Sequence, residues 1–470
     1  MEKWETIFKY SPYLKELQEL YGEYSLKEYL SCLRHVPAEE IEPSSDVLTA
    51  VYRYAKKFCT DETASEAVHI LERTRLLFTA DHHGIEYFAQ SVQGNFLYEM
   101  WLEMQMGQVR VVPVFSGGTV NLGSVNYPRG ITLYSRGIYH LPVHPYRQRT
   151  EMVGMASPFT MEMVERARLS ANLDNRRGRL SEKELETINL CLDVYNRKEV
   201  LELDAYGVQA VRVNQYLSEM LHKNKCFFLY IELEEIVREL LIKDLSKEKG
   251  ITEGILFSPS LCKKIIRELN GISGCWFCRE GTGSIERGTH FFWGTDKNSK
   301  KRYPLYLTEN WKLCGKHPAG QRIEWGWDKE TCISLLKNKE ITPGIFLDFL
   351  ELIFLRDFTP AGGCFQGEYL TQIKMGLDKC LNDSEYGKMC GLIRNKKCRQ
   401  YLSGPIIFTE NREEKKLPMG MCELLGRRDQ IEEMRREGLK LSFNEAQENG
   451  KEIFYQDIVP KKGMGTKNEE

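Results

Sequence analysis

The sequence contains no apolar run of the roughly 18 residues that a membrane-spanning helix needs. The best stretch, Gly344 to Leu355, is broken by Asp348 and Glu351, and its apolar spacing predicts a buried helix instead. The first residues, Met1-Glu2-Lys3-Trp4-Glu5, lack the basic and apolar segments of an export signal, so a cytoplasmic protein is expected. Neither sign of charge is in excess. Lys plus Arg number 65 and Asp plus Glu 67, for a net charge of −2. No global field therefore draws the chain to nucleic acid or to an anionic membrane. Phosphate-binding signatures are missing too: there is no Walker pattern and no Gly-x-Gly-x-x-Gly opening a helix. That disfavours dinucleotide-dependent hydride transfer. Internal repeats and low-complexity tracts are also absent from the sequence.

What is present points to a folded α/β chain. Apolar residues make up 42% and aromatics 11%, enough to bury a large core and to exclude disorder. A length of 470 residues exceeds a usual single domain. The N-terminal segment has helical spacing, as in Tyr13, Leu14, Leu17, Leu20 and Tyr21, and Thr60 is placed to cap a further helix. From Arg75 short apolar runs alternate with helical patterns. A strand is expected to Thr79, an amphipathic helix from about Ile85 to Met106, and strands at Val109 to Phe115, Ile131 to Tyr134 and Cys226 to Ile231. This predicts an α/β fold, a mixed sheet with helices packed on it, preceded by a helical N-terminal segment. The expected divisions are 1–170, holding the candidate ligand site, 171–420, a second α/β part, and 421–470, a charged helical tail with a disordered end. The 14 cysteines read as free, mostly buried thiols.

Several constellations carry possible chemistry. In Thr79-Ala80-Asp81-His82-His83-Gly84, three potential ligands for a divalent metal sit at a predicted strand end, where α/β sheets bind ligands. Adjacent histidines on extended backbone point apart, so Asp81 with one of them is the expected pair. The Asp-His-His triplet resembles the signature of DHH-type phosphoesterases. Those enzymes carry further aspartates upstream in an Asp-x-Asp pattern, whereas only Asp46 and Asp61 precede it here, far apart.

Between Glu103 and Glu151 there is no acidic residue, yet the segment holds Arg110, Arg129, Arg136, Arg147, Arg149, His140 and His144. Unneutralised guanidinium groups are suited to phosphate or carboxylate. The same segment carries Ser116-Gly117-Gly118-Thr119-Val120-Asn121, whose backbone N–H groups can meet an anion. Ser116, Gly117, Gly118, Asn121, Arg129 and Arg136 are the expected substrate-binding residues. Arg129 is the preferred contact, because Pro128 and Gly130 fix its backbone.

Cys275 and Cys278, with Cys314 and His317, have spacings that can close a structural zinc site. His290, among aromatics and glycines, is a candidate general acid or base. Cys364 follows a glycine pair and is a weaker candidate nucleophile. Glu232, Glu234 and Glu235 read as carboxylates stabilising the first turn of a helix. Taken together, these residues imply an enzyme acting on a small anionic molecule by hydrolysis or group transfer. Asp81, His82, His83 and His290 are its expected catalytic groups, with a divalent metal as the possible cofactor. A non-catalytic binding or scaffold protein with a zinc site is the alternative. A nucleic-acid polymer or a membrane is not the expected partner.

Overall fold

A computed structural model describes residues 2–34, 45–134, 137–247, 250–279, 285–382, 386–387, 393–412 and 415–459. The chain opens with helices Glu2–Tyr10, Pro12–Tyr21, Leu26–Cys32, Ser45–Ala55 and Asp61–Thr74. The last of these starts where Thr60 Oγ1 accepts the Thr63 N–H, and it ends on Arg75, whose left-handed conformation turns the chain into the first strand.

Counted along the chain, strands β1 (Leu76–His82), β2 (Val111–Gly117), β5 (Phe227–Glu232), β13 (Thr359–Gly362) and β14 (Gln400–Tyr401) form one sheet in the order β14-β13-β1-β2-β5. Every pairing in it is parallel. A second sheet, β11-β10-β9-β8-β12, is built from β8 (Phe292–Asp296), β9 (Lys301–Leu307), β10 (Lys312–Lys316), β11 (Arg322–Gly326) and β12 (Ile341–Pro343). All its pairings are antiparallel. Short hairpins join β3 (Gly130–Leu133) to β4 (Tyr139–Pro142), β6 (Trp276–Cys278) to β7 (Ile285–Gly288), and β15 (Thr409–Arg412) to β16 (Lys415–Pro418). The α/β class and the helical N-terminal segment are thus present. The parallel pairings share one sheet, and the antiparallel pairings lie in the second sheet and the three hairpins. The parallel sheet takes β1 and β2 from before residue 170 and its other three strands from after it, so the core straddles that expected division.

β1 is the middle strand, and Leu76, Leu77 and Phe78 are inaccessible, as a strand covered on both faces requires. The helix after it, Ala89–Met106, departs from the amphipathic expectation. It begins four residues later than Ile85 and is buried on all sides from Ser91 to Leu102. Its polar residues face other parts of the chain rather than water. Gln93 accepts from the Ile407 and Phe408 N–H groups and donates to the Phe408 and Met419 carbonyls. Glu99 meets His222 at 2.9 Å and Arg435 at 3.3 Å. A pattern that predicts a solvated face has instead made a buried polar network. Among the described residues no helix is long and apolar enough to cross a membrane, and residues 461–470 lie outside them.

Candidate functional site

The chain passes from β1 to β2 and β5 on one side, and β13 and β14 lie on the other side of β1, so strand order reverses between β1 and β13 while every strand stays parallel. Crevices at such switch points bind ligands in open α/β sheets. Here the crevice is plugged: Gln366, from the helix after β13, donates to Thr79 Oγ1 at 2.8 Å. Cys364 beside it is buried, and burial pushes its thiol up to about 12, which disfavours the thiolate. The candidate chemistry lies over β1, β2 and β5 instead.

Asp81, His82 and His83 alternate in direction. His83 turns inward, with Nδ1 2.9 Å from Ser116 Oγ and Nε2 3.2 Å from the Gly207 carbonyl. A carbonyl only accepts, so Nε2 carries the proton and Nδ1 accepts from Ser116. Burial holds His83 down to about 4, so the ring is neutral at pH 7. Ser116 and His83 are fully enclosed, which makes this a structural hydrogen bond rather than an accessible serine–histidine pair. His82 points the other way, is partly exposed, and hydrogen-bonds Asn126. Burial holds it below its ordinary value, and the Arg302 charge nearby adds to that shift.

Asp81 is 2% exposed. Asn95 Nδ2 donates to its Oδ2 at 3.0 Å, and Oδ1 has no partner among the described residues. Burial pushes the carboxyl up to about 7, against hydrogen bonds from Asn95, Tyr230 and Ser91. Glu86 lies well above the carboxylate range, first through burial and then through repulsion by Asp81. Burial thus favours the neutral form of both carboxyl groups. Asn126, in the arginine-bearing segment, lies close enough to shift both His82 and Glu86 toward their charged forms.

The glycine loop does present N–H groups to an anion, but that anion is internal. Glu234 accepts from the Gly118 N–H at 2.7 Å and the Thr119 N–H at 3.0 Å. Ser116, Gly117 and Gly118 are thus engaged within the chain, and Asn121 bridges to Met152 through its backbone. Glu234 was expected to serve its own helix; it serves the neighbouring loop instead. Glu235 pairs with Arg238 and with Lys339. Glu232, partly exposed, and buried Asp348 stand well above the carboxylate range, chiefly by desolvation.

Arg129 is held differently. A Cβ on Gly84, whose φ is +138°, would lie 2.7 Å from Pro128 Cβ, so only glycine lets the two segments meet. Tyr206 OH donates to the Pro128 carbonyl and accepts from the Ile85 N–H at 3.1 Å. The Arg129 carbonyl accepts from the Val143 and His144 N–H groups at 3.0 and 2.9 Å. The guanidinium carbon lies 5.3 Å from the Tyr127 ring centre and 5.6 Å from that of Tyr146. Its Nε is buried without a partner, and no carboxylate among the described residues pairs with it. By contrast, Arg110 is neutralised by Glu62 and Glu66 at 2.8 and 2.6 Å. Arg136 lies outside the described residues.

His290 sits apart, in the region of the antiparallel sheet. Its Nδ1 accepts the Leu307 N–H at 3.0 Å, so its proton is on Nε2, which points at Cys278 Sγ at 3.3 Å. A ring with that tautomer cannot take the thiol proton without losing the Leu307 bond, and burial holds it down to about 4. It does not join Asp81 and His82. Cys314 Sγ lies 3.8 Å from Glu324, and His317 lies 3.6 Å from Asp296. Among the described residues no three or more His, Cys, Asp or Glu side chains are grouped to hold a metal ion. Cys275, Cys278, Cys314 and His317 are thus not gathered as a zinc set, nor Asp81 and the histidines as a divalent-metal site.

The chain matches no known protein family, and no curated protein matches it in sequence. The likeness of Asp81-His82-His83 to a phosphoesterase signature remains confined to those residues.

Proposed function

We propose that the protein binds a small molecule bearing phosphate or carboxylate at Arg129 and acts on it by hydrolysis or group transfer, with His82 moving the proton. The observation that carries this reading is the Arg129 guanidinium: clamped at its backbone, flanked by two tyrosines, and without a carboxylate partner among the described residues. A fixed, uncompensated guanidinium is suited to an external anion. His82 supports the catalytic half, because it alone of the strand-end triplet is partly exposed and Asn126 of the arginine-bearing segment lies beside it.

One observation favours a second reading, binding without catalysis. Asp81, His83 and Glu86 are at most 2% exposed and are engaged within the chain. Calorimetric titration of the full chain with inorganic phosphate, pyrophosphate and citrate tests the binding half. Arg129→Ala should weaken any anion bound by about 10- to 100-fold, the value of one charge-assisted contact. Equal affinity in the variant, or no binding of any of the three by the native protein, refutes it. Phosphate release from a panel of phosphomonoesters, abolished in His82→Gln with binding retained, supports catalysis. Binding without release leaves the second reading.

A further inference from the structure

We infer that the anion carries an aromatic ring, and that the ligand is a nucleoside monophosphate whose base stacks in the Tyr127–Tyr146 row while its phosphate meets Arg129. This rests on the anion reading above and narrows it. Five planar side chains make successive face contacts. His140 stacks on Tyr127 at 4.0 Å and 22°, Arg129 lies between Tyr127 and Tyr146, and Arg149 lies 4.1 Å from the Tyr146 ring centre.

The spacing along the row is uneven. Contacts at its two ends are tight, whereas Arg129 stands 5.3 and 5.6 Å from its two rings, well beyond the roughly 4 Å seen at the ends. The slack falls where the unpartnered Nε also lies. Tyr146 is 67% exposed, so a ring arriving from solvent finds an aromatic face beside a cation. A simple anion would use the guanidinium and leave the rings idle; a planar anion would use both.

The backbone under the row is stiff. Gly130 admits no Cβ, which would strike the Leu141 carbonyl, and Tyr206 pins Pro128. The site therefore exists before the ligand arrives. Its size argues against a polymer. Arg110, the first guanidinium of the acid-free segment, is spent on Glu62 and Glu66. Arg129 and Arg149 on either side of Tyr146 suit one phosphate and one base rather than a strand of many phosphates.

The test titrates the full chain with inorganic phosphate, adenosine monophosphate and a single-stranded deoxyadenosine decamer at fixed ionic strength. The nucleotide should bind about 5- to 100-fold tighter than phosphate, the range that base stacking supplies. Tyr146→Leu, a change at an exposed position checked by its melting curve, should lower that ratio at least fivefold. Arg129→Ala should weaken nucleotide binding by about 10- to 100-fold. If phosphate binds and the nucleotide binds no tighter, the inference fails while the anion reading stands. An unchanged ratio in Tyr146→Leu also overturns it. If neither ligand binds, both fall. A decamer that binds more than tenfold tighter than the nucleotide, with affinity falling steeply in salt, overturns it in favour of a nucleic-acid site.

Discussion

Asp81→Asn tests whether the strand-end carboxyl is held neutral by the fold. Its side chain is enclosed, one oxygen takes the Asn95 amide, and the other has no partner. Burial raises it to about 7, against about 3.9 in an unfolded chain. The native state therefore keeps a proton that the unfolded state has already lost. The stability this proton supplies is complete below about pH 4 and disappears as pH rises through about 7. Between pH 5 and pH 8 the native protein should lose roughly 2–3 kcal/mol at this one site. Glu86 moves in the same direction, so the pair adds to the slope. Asn keeps the shape and has no proton to lose. Urea unfolding followed by tryptophan fluorescence at pH 5 and pH 8 measures the difference. The variant should gain roughly 2–3 kcal/mol on the native protein across that interval, with unchanged m-values. Parallel stability curves for the two proteins, or a variant that falls further behind at pH 8, would refute the reasoning.

Glu234→Ala leaves the Gly118 and Thr119 N–H groups buried without an acceptor. A loss of about 2–5 kcal/mol is expected in the same assay, and Glu234→Gln, which keeps one acceptor oxygen, should lose less. A loss under about 1 kcal/mol in the alanine variant would show that water replaces the carboxylate. Prolonged dialysis against a chelator should leave the melting temperature unchanged, because the described residues hold no metal-ligand group. One zinc per chain by elemental analysis, lost with unfolding in Cys275→Ser, would contradict that arrangement.

Much of the candidate site was legible because its parts are local. The Leu76 to Phe78 run announced a buried strand, Thr60 announced a cap, and alternation along extended backbone separated His82 from His83. The acid-free stretch did contain an uncompensated arginine, and the glycine loop did bind an anion. What composition could not show was which anion. Glu234 lies more than a hundred residues downstream, at a helix start where a carboxylate has an ordinary local role. Asn95 and Gln93 looked like the solvated face of an amphipathic helix. Glu86, Asn126 and Tyr230 offered no spacing signal at all, since their partners come from three separate segments.

The order of strands and helices, the alternation at the strand end and the missing acids between Glu103 and Glu151 are properties of neighbours in the chain, and periodicity and composition report them directly. The pairing of charges is a property of neighbours in space. Tertiary packing assigned Glu62 and Glu66 to Arg110 and Glu234 to the glycine loop, and among the described residues it gave Arg129 no acid. It also enclosed Asp81, and only that enclosure raises its carboxyl. Coulomb attraction and desolvation depend on distance and burial, which one-dimensional spacing does not contain.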